Sequence, residues 1–305
     1  MKKSRGCFID KTGETVFCFS NTQKYGQRIR HIANQGIQDN EKEELIMSNT
    51  VLYDVQNHIG IVQINRENYR NAFGETTYQE IIDIMNEIDQ DDNVKVAVIT
   101  GVGNHFSAGG DVNYFQQLID DGQEITEEMV LLTGKMVKSV KQNSKPVIAA
   151  VNGVAAGAGL GLAMACDFIV MGESSQLVTA FIQMAFPGDT ALLYTLQQAI
   201  GTFRTTRHVM LGEPITAKMA EEYGIAFAVV KDEEMKDVVA QLAGHLAAGP
   251  TEALGYQKAL LNQIFYPGID EFNQGEAIYM NKASKSADHK EAVDAFLNKR
   301  RPDFK

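Results

Sequence analysis

Two stretches of this chain share an arrangement suited to carbonyl chemistry: an apolar run, a set of very small residues, then the start of a helical pattern. In the first, residues 94–100 lead past His105 to Phe106-Ser107-Ala108-Gly109-Gly110-Asp111. In the second, residues 146–151 lead to Asn152-Gly153-Val154-Ala155-Ala156-Gly157-Ala158-Gly159. Small residues let a ligand approach the backbone closely, and N–H groups at a helix start have no partner within the helix. Two such donors converging on one oxygen form an oxyanion hole, which stabilises charge developing on a carbonyl, and loss of one donor costs about 10²–10³ in rate. Tight strand–helix packing uses glycine and alanine for the same steric reason, so composition alone leaves both readings open.

Such a hole needs a group that moves protons. Asp189 follows Pro187-Gly188 and precedes the apolar run from Ala191 to Tyr194, the position of a helix N-cap. A cap accepting backbone N–H groups would have a low pKa, whereas an apolar pocket would raise it toward neutrality and suit it to acid/base work. Asp167, after Ala165-Cys166, reads as a structural carboxylate satisfying backbone donors, and Asp111 as the N-cap of the helix it precedes. His105 reads as a solvated loop histidine, Tyr114 and Tyr194 as core aromatics with pocket lining as the alternative, and Lys282 with Lys285 as a solvated face.

The elements that must position these residues alternate along the chain. Val51–Gln56 and Ile59–Asn65 read as a hairpin around Asn57-His58, followed by a helix carrying Tyr78, Ile81, Ile82, Met85 and Ile88 on one side. Residues 94–100 form a buried strand. Val112, Phe115 and Ile119 mark one helix, and Met129, Leu132, Met136 and Val140 the next. Residues 146–151 are a further strand, 153–165 a Gly/Ala-rich turn into a helix, and 168–171 a short strand, with helical patterns dominating after Asp189. The mixture is α/β. Residues 1–46 carry no sustained period, so the expectation there is a mobile extension, a cloning-derived tail or an upstream start, with the folded protein beginning near Met47.

The 305 residues, 44% hydrophobic, suffice for one large core. A formal net charge of -11 argues against a nucleic-acid surface, which needs clustered Lys and Arg. The absence of an apolar run long enough to span a bilayer, and of a signal-peptide core, makes a cytoplasmic location the expectation. Three cysteines, Cys7, Cys18 and Cys166, match no zinc spacing and read as free thiols. No metal, flavin or nicotinamide is expected, since neither ligand spacing nor a dinucleotide fingerprint occurs.

The two small-residue segments, together with Lys145-Pro146 and Ala165-Cys166-Asp167, resemble the paired signatures of the crotonase (enoyl-CoA hydratase/isomerase) superfamily in order and separation. The resemblance runs from about Val51 to the C-terminus, including Asn71-Ala72-Phe73 and the terminal Arg300-Arg301-Pro302-Asp303-Phe304. It implies a spiral of ββα units over residues 47–250, a helical trimerisation region over 251–305, and a homotrimer or dimer of trimers. It further implies an acyl-CoA thioester held by the backbone N–H groups of Ala108 and Ala158. Ala72, Ser107, Gly109, Gly110, Asp111 and Gly157 border the substrate by the same resemblance, and coenzyme A belongs to the substrate rather than being a separate cofactor.

The family's hydratases carry one catalytic glutamate at the position matching Gly161 and another near Ala180-Phe181, and both are absent here. The chain is more similar to the ring-1,2-epoxyphenylacetyl-CoA isomerases and related enoyl-CoA isomerases, through residues 153–159, Thr179-Ala180-Phe181, Asp189 and Gly249-Pro250-Thr251. In that branch an aspartate at the position of Asp189 is the acid/base. It usually follows proline directly, whereas here Gly188 intervenes. The resemblance therefore implies an isomerase that shifts a double bond, or rearranges an epoxide-bearing aromatic thioester, through a thioester enolate. The alternatives are a hydratase or hydrolase of the same superfamily, and a catalytically silent acyl-CoA-binding subunit.

Overall fold

The computed structural model describes residues 50–305 and, before them, the backbone of strands β1 (Cys7–Ile9) and β2 (Thr15–Cys18), which pair antiparallel. The expectation for residues 1–46 otherwise lies outside the described residues. Strands β3 (Val51–Gln56) and β4 (Ile59–Ile64) form the hairpin expected of them. Its turn residues are both left-handed, Asn57 at φ 50° and His58 at φ 66°, which matches the twist of the flanking strands.

From β4 the chain passes through α1 (Thr77–Gln90) to β5 (Val96–Gly101), then through α2 (Val112–Asp120) and α3 (Glu127–Lys141) to β6 (Val147–Val151). It continues through β7 (Val154–Ala156) and α4 (Ala158–Ala165) to β8 (Phe168–Gly172). With β11 (Ala228–Val230) these strands make a six-stranded sheet in the order β11-β8-β6-β5-β4-β3, parallel except for the hairpin. Every residue of β5 and β6 is buried, because a parallel sheet is covered on both faces. Strand alternation divides the core. Ala97 and Ile99 face the main cluster with Ile81, Met85 and Ile88 of α1, while Val96 and Val98 face a second cluster under α8 (Met235–Ala247). Each such buried Val or Ile contributes about 1.5–3 kcal/mol.

The structure adds a small second sheet where the sequence suggested only a turn into a helix. β7 pairs in parallel with β9 (Gln176–Val178), which pairs antiparallel with β10 (Ile215–Thr216). Strands of two or three residues are too short to show a period. Between β9 and β10 lie α5 (Leu192–Ile200) and α6 (Thr202–Leu211), and α7 (Ala217–Glu222) leads to β11. The C-terminal region is helical, with α9 (Thr251–Phe265), α10 (Ile269–Ser284) and α11 (Ala287–Leu297) following α8. Helix α10 packs along α3, and α11 along α2, so the C-terminal helices reach back to the two helices that lie between the small-residue segments in the chain. Among the described residues no helix is long and apolar enough to cross a membrane.

Candidate active site

The two small-residue segments meet. Phe106 N and Ser107 N both donate to Val154 O at 3.1 Å, and Ala156 N donates to Ser107 O at 2.8 Å. On the other side of the first segment, Phe73 N donates to Gly109 O at 2.7 Å and Asp111 N to Phe73 O at 3.1 Å. The fully buried Asn71 locks this side, donating from Nδ2 to Val102 O and His105 O and accepting at Oδ1 from Arg66 N. Ser107 Oγ donates to Asn71 O and accepts from Gly109 N, so its role is to fix the loop. Two glycines show how closely the segments approach. A Cβ on Gly109, whose φ is +85°, would stand 2.6 Å from Ala156 O, and one on Gly159 would stand 2.6 Å from Ser107 Cβ.

This packing brings Ala108, Gly157 and Ala158 to the wall of one cavity of about 490 Å³. Ala158 is the first residue of α4, and among the described residues no hydrogen bond occupies its N–H. Ala108 differs: its N–H already donates to Arg70 O at 3.0 Å. One expected donor is thus open and the other is covered by a backbone carbonyl.

Asp189 lines the same cavity, but it is not a helix cap. The cap of α5 is Ala191, without a side-chain hydrogen bond, and Leu192 N donates to the backbone oxygen of Asp189 rather than to its carboxyl. The shift follows from the backbone: Thr190 (φ 59°) and Ala191 (φ 49°) are both left-handed, so the helix starts later than Pro187-Gly188 suggests. Left-handed non-glycine residues cost about 1–3 kcal/mol each and persist only where the surroundings fix them. Here Thr190 N donates to Thr133 Oγ1 of α3 at 3.2 Å, and Ala191 N to Glu276 Oε2 of α10 at 2.9 Å.

Asp189 is 7% exposed, and its Oδ1 is buried with no hydrogen-bond partner among the described residues. Burial pushes its pKa up from 3.8 to about 7, with Thr190 opposing. Two neighbours register its charge. The Tyr78 hydroxyl, on the cavity wall, is held well above its usual range by burial and by Asp189. Glu276 is pushed up to about 8, first by burial and then by Asp189.

The positions where the resemblance places hydratase glutamates carry no carboxyl and, at Gly161, have no room for one. A Cβ on Gly161 would overlap Thr190 Oγ1. Ala180 and Phe181 present a methyl and a ring to the cavity, whose wall is otherwise mainly apolar, with Phe115, Phe186, Met129 and Met184 among the larger side chains. The remaining carboxylate on the wall, Glu75, is exposed.

A family model described as "Enoyl-CoA hydratase/isomerase" matches residues 54–305. The chain belongs to this family. It is 32% identical over 261 residues to 1,2-epoxyphenylacetyl-CoA isomerase of Escherichia coli, covering 85% of this chain and 99% of that one. It is 29% identical to trans-2-decenoyl-[acyl-carrier-protein] isomerase of Streptococcus mutans, covering 83% and 97%. Among solved structures, an enoyl-CoA hydratase from Mycobacterium avium subsp. paratuberculosis superposes with a TM-score of 0.78 at 26% identity, covering 84% and 99%. The protein is therefore an enzyme of the crotonase superfamily with the crotonase fold, and its relatives include isomerases and hydratases alike.

Within that family frame, the other expected residues divide. Gly110, His105 and Tyr114 line the cavity. Asp111 caps α2 through Asn113 N and pairs with Arg66 Nη2 at 2.9 Å, while Arg66 Nη1 donates to Ala72 O at 2.5 Å. Neither Asp111 nor Ala72 is on the cavity wall. Tyr194 packs with Tyr266 and Phe272 away from the cavity. Lys285 pairs with Glu124, and Lys282 lies over Tyr279. Sequence reasoning missed Tyr78 as a neighbour of Asp189, Thr190 as filler of the space beside Gly161, and Glu276. The buried stripe of α10, Ile269, Asn273, Glu276, Ala277, Met280 and Ser284, carries the signal for Glu276: a carboxylate in core register.

Proposed function

We propose that this enzyme moves a double bond in an acyl-CoA thioester with Asp189 as its single acid/base. The observation that carries the reading is the cavity wall itself: one buried carboxyl, poised near neutrality, and none at positions 161, 180 or 181. A 3-enoyl thioester enters with its carbonyl oxygen at the Ala158 N–H, and the oxygen replaces the Arg70 carbonyl at the Ala108 N–H. The Asp189 carboxylate removes a proton from the carbon next to the carbonyl, and the electron pair spreads over the thioester oxygen and the adjacent alkene. The two N–H groups stabilise that enolate. Asp189, now the acid, returns the proton to the far alkene carbon and leaves the conjugated 2-enoyl thioester. The mainly apolar wall supports this by keeping the carboxylate poorly solvated and therefore basic.

Residues of α9 such as Leu260, Leu261 and Ile264 are exposed, and they support the further proposal of a homotrimer or dimer of trimers built on the C-terminal helices. The cytoplasm is the proposed location. The test of the function is to supply 3-enoyl-, 2-enoyl- and phenylacetyl-derived CoA esters in deuterated water and follow mass and exchange together. Isomerisation of the 3-enoyl ester should outrun hydration of the 2-enoyl ester. Hydration at an equal or higher rate sinks the one-carboxyl mechanism.

A further inference from the structure

The turn that aims Asp189 is built from residues that resist its shape. Thr190 is β-branched and Ala191 carries a Cβ, yet both are left-handed, so outside contacts must hold them. The contact at Ala191 is unusual because it comes from a buried acid. Glu276 projects from the inward stripe of α10, is 7% exposed, accepts the Ala191 N–H at 2.9 Å with Oε2, and leaves Oε1 buried with no partner among the described residues. Burying a carboxyl is costly, and the same register of α10 otherwise includes Ile269, Ala277 and Met280. Glu276 is not among the residues that line the cavity.

We infer that Glu276 is the positioning residue for Asp189, fixing through the Ala191 N–H the left-handed turn that presents the Asp189 carboxyl to the cavity. The inference rests on the reading of Asp189 as acid/base. It assigns to α10, a C-terminal helix, control over an acid carried on a turn 85 residues earlier in the chain. A raised Glu276 pKa fits this role, since a neutral carboxyl can accept the N–H without placing a second charge beside Asp189. The acceptor oxygen is what matters, so an amide can replace the acid.

The test compares Glu276→Gln, Glu276→Met and Glu276→Asp with Asp189→Asn, using the 3-enoyl-CoA ester that the wild type converts fastest. Glu276→Gln keeps an acceptor at the same reach and should stay within about 3-fold of the wild-type kcat. Glu276→Met removes the acceptor, and Glu276→Asp withdraws it by one methylene. Each should lower kcat by about 10- to 100-fold, the scale of a misplacement near 1 Å, while KM changes little. Adding Ala191→Gly to Glu276→Met should recover part of kcat, because glycine holds a positive φ without strain. A residue that only stabilises the fold would move the melting temperature and leave kcat per folded enzyme unchanged. That result for Glu276→Met, or for Glu276→Asp where the Met variant does not fold, overturns the inference. Loss of kcat in Glu276→Gln equal to that in Glu276→Met also overturns it. If Asp189→Asn is inactive while Glu276→Met is normal, the positioning role alone fails. If Asp189→Asn keeps its rate, the function reading fails and this one with it.

Discussion

Asp167, between α4 and β8, accepts the Val147 N–H at 2.8 Å and pairs with Lys258 Nζ at 2.8 Å. Lys258 also donates to Val140 O and Lys145 O, so the β6 start, the α3 end and α9 are joined through one ion pair. Asp189, on the turn before α5, has a more enclosed carboxyl with an oxygen that no described residue satisfies, and it faces a cavity. Both residues follow a run of small or turn-forming residues. The difference lies in what the fold leaves undone. A carboxylate whose acceptor sites are filled by donors is a joint, whereas one that is desolvated and unpaired has proton affinity to use on a ligand.

The largest expected effect breaks the comparison at Asp189. Asp189→Asn should lower the isomerisation rate by about 10²–10⁴, the usual contribution of a positioned acid/base, while thioester affinity is kept. In the wild type, the rate should rise with pH through about 7 as Asp189 becomes a carboxylate. Stability has the opposite slope. Because the folded pKa is raised from 3.8 to about 7, the folded state holds this proton more tightly than the unfolded chain. The stabilisation from the neutral acid is complete below pH 3.8 and lost as pH rises through about 7. The Asn variant has no such loss, so above neutrality it should exceed the wild type by up to about 4 kcal/mol in urea melts. A cap would have behaved in the reverse way, and a destabilised Asn variant at pH 8 would contradict the placement of this carboxyl.

Asp167→Asn should show the mirror image, with a smaller magnitude. The amide leaves the buried Lys258 ammonium without its counter-charge. With the Asp167 side chain 22% exposed, solvent softens the loss to about 1–3 kcal/mol of stability, less than for a fully buried pair. Activity per folded molecule should be unchanged, measured as kcat against the folded fraction from circular dichroism. A kinetic defect in a folded Asp167→Asn protein would erase the distinction between the two acids.

Much of the frame was legible because it depends on local pattern. The buried runs of β5 and β6, the Asn57-His58 turn, the Asp111 cap and the structural use of Asp167 follow from residue type and spacing. The meeting of the two small-residue segments was legible as a composition, but not the pairing of Ala108 N with Arg70 O, which depends on how the loop after β4 folds back. Asp189 also read as a cap, because left-handed backbone at a threonine and an alanine cannot be seen in a sequence. Glu276 was hidden because its use depends on a contact with a residue 85 positions away in the chain.

The smallest expected effect concerns how the Asp189 turn relates to the empty position 161. Thr190 is fully buried, and its hydroxyl donates to Asp189 O at 2.6 Å while standing where a Gly161 side chain would project. Gly161→Ala alone forces Thr190 to move and should cost about 1–3 kcal/mol, the range for overpacking a filled core. Thr190→Gly alone removes a hydrogen bond worth about 0.5–1.5 kcal/mol and leaves a small cavity, partly offset by relief of a β-branched residue at positive φ, so it should cost about 1–2 kcal/mol. Together the two changes should cost less than their sum by about 1–2 kcal/mol, because the Ala methyl then enters the space the Thr side chain vacated. Strict additivity in the double-mutant cycle would mean that something other than Thr190 closes the space. Coupling would mean that placing the acid on this turn and losing room for a carboxylate on α4 are one structural event. The enzyme could not then gain a glutamate at 161 without disturbing Asp189, which physically separates a one-carboxyl site from a two-carboxyl one.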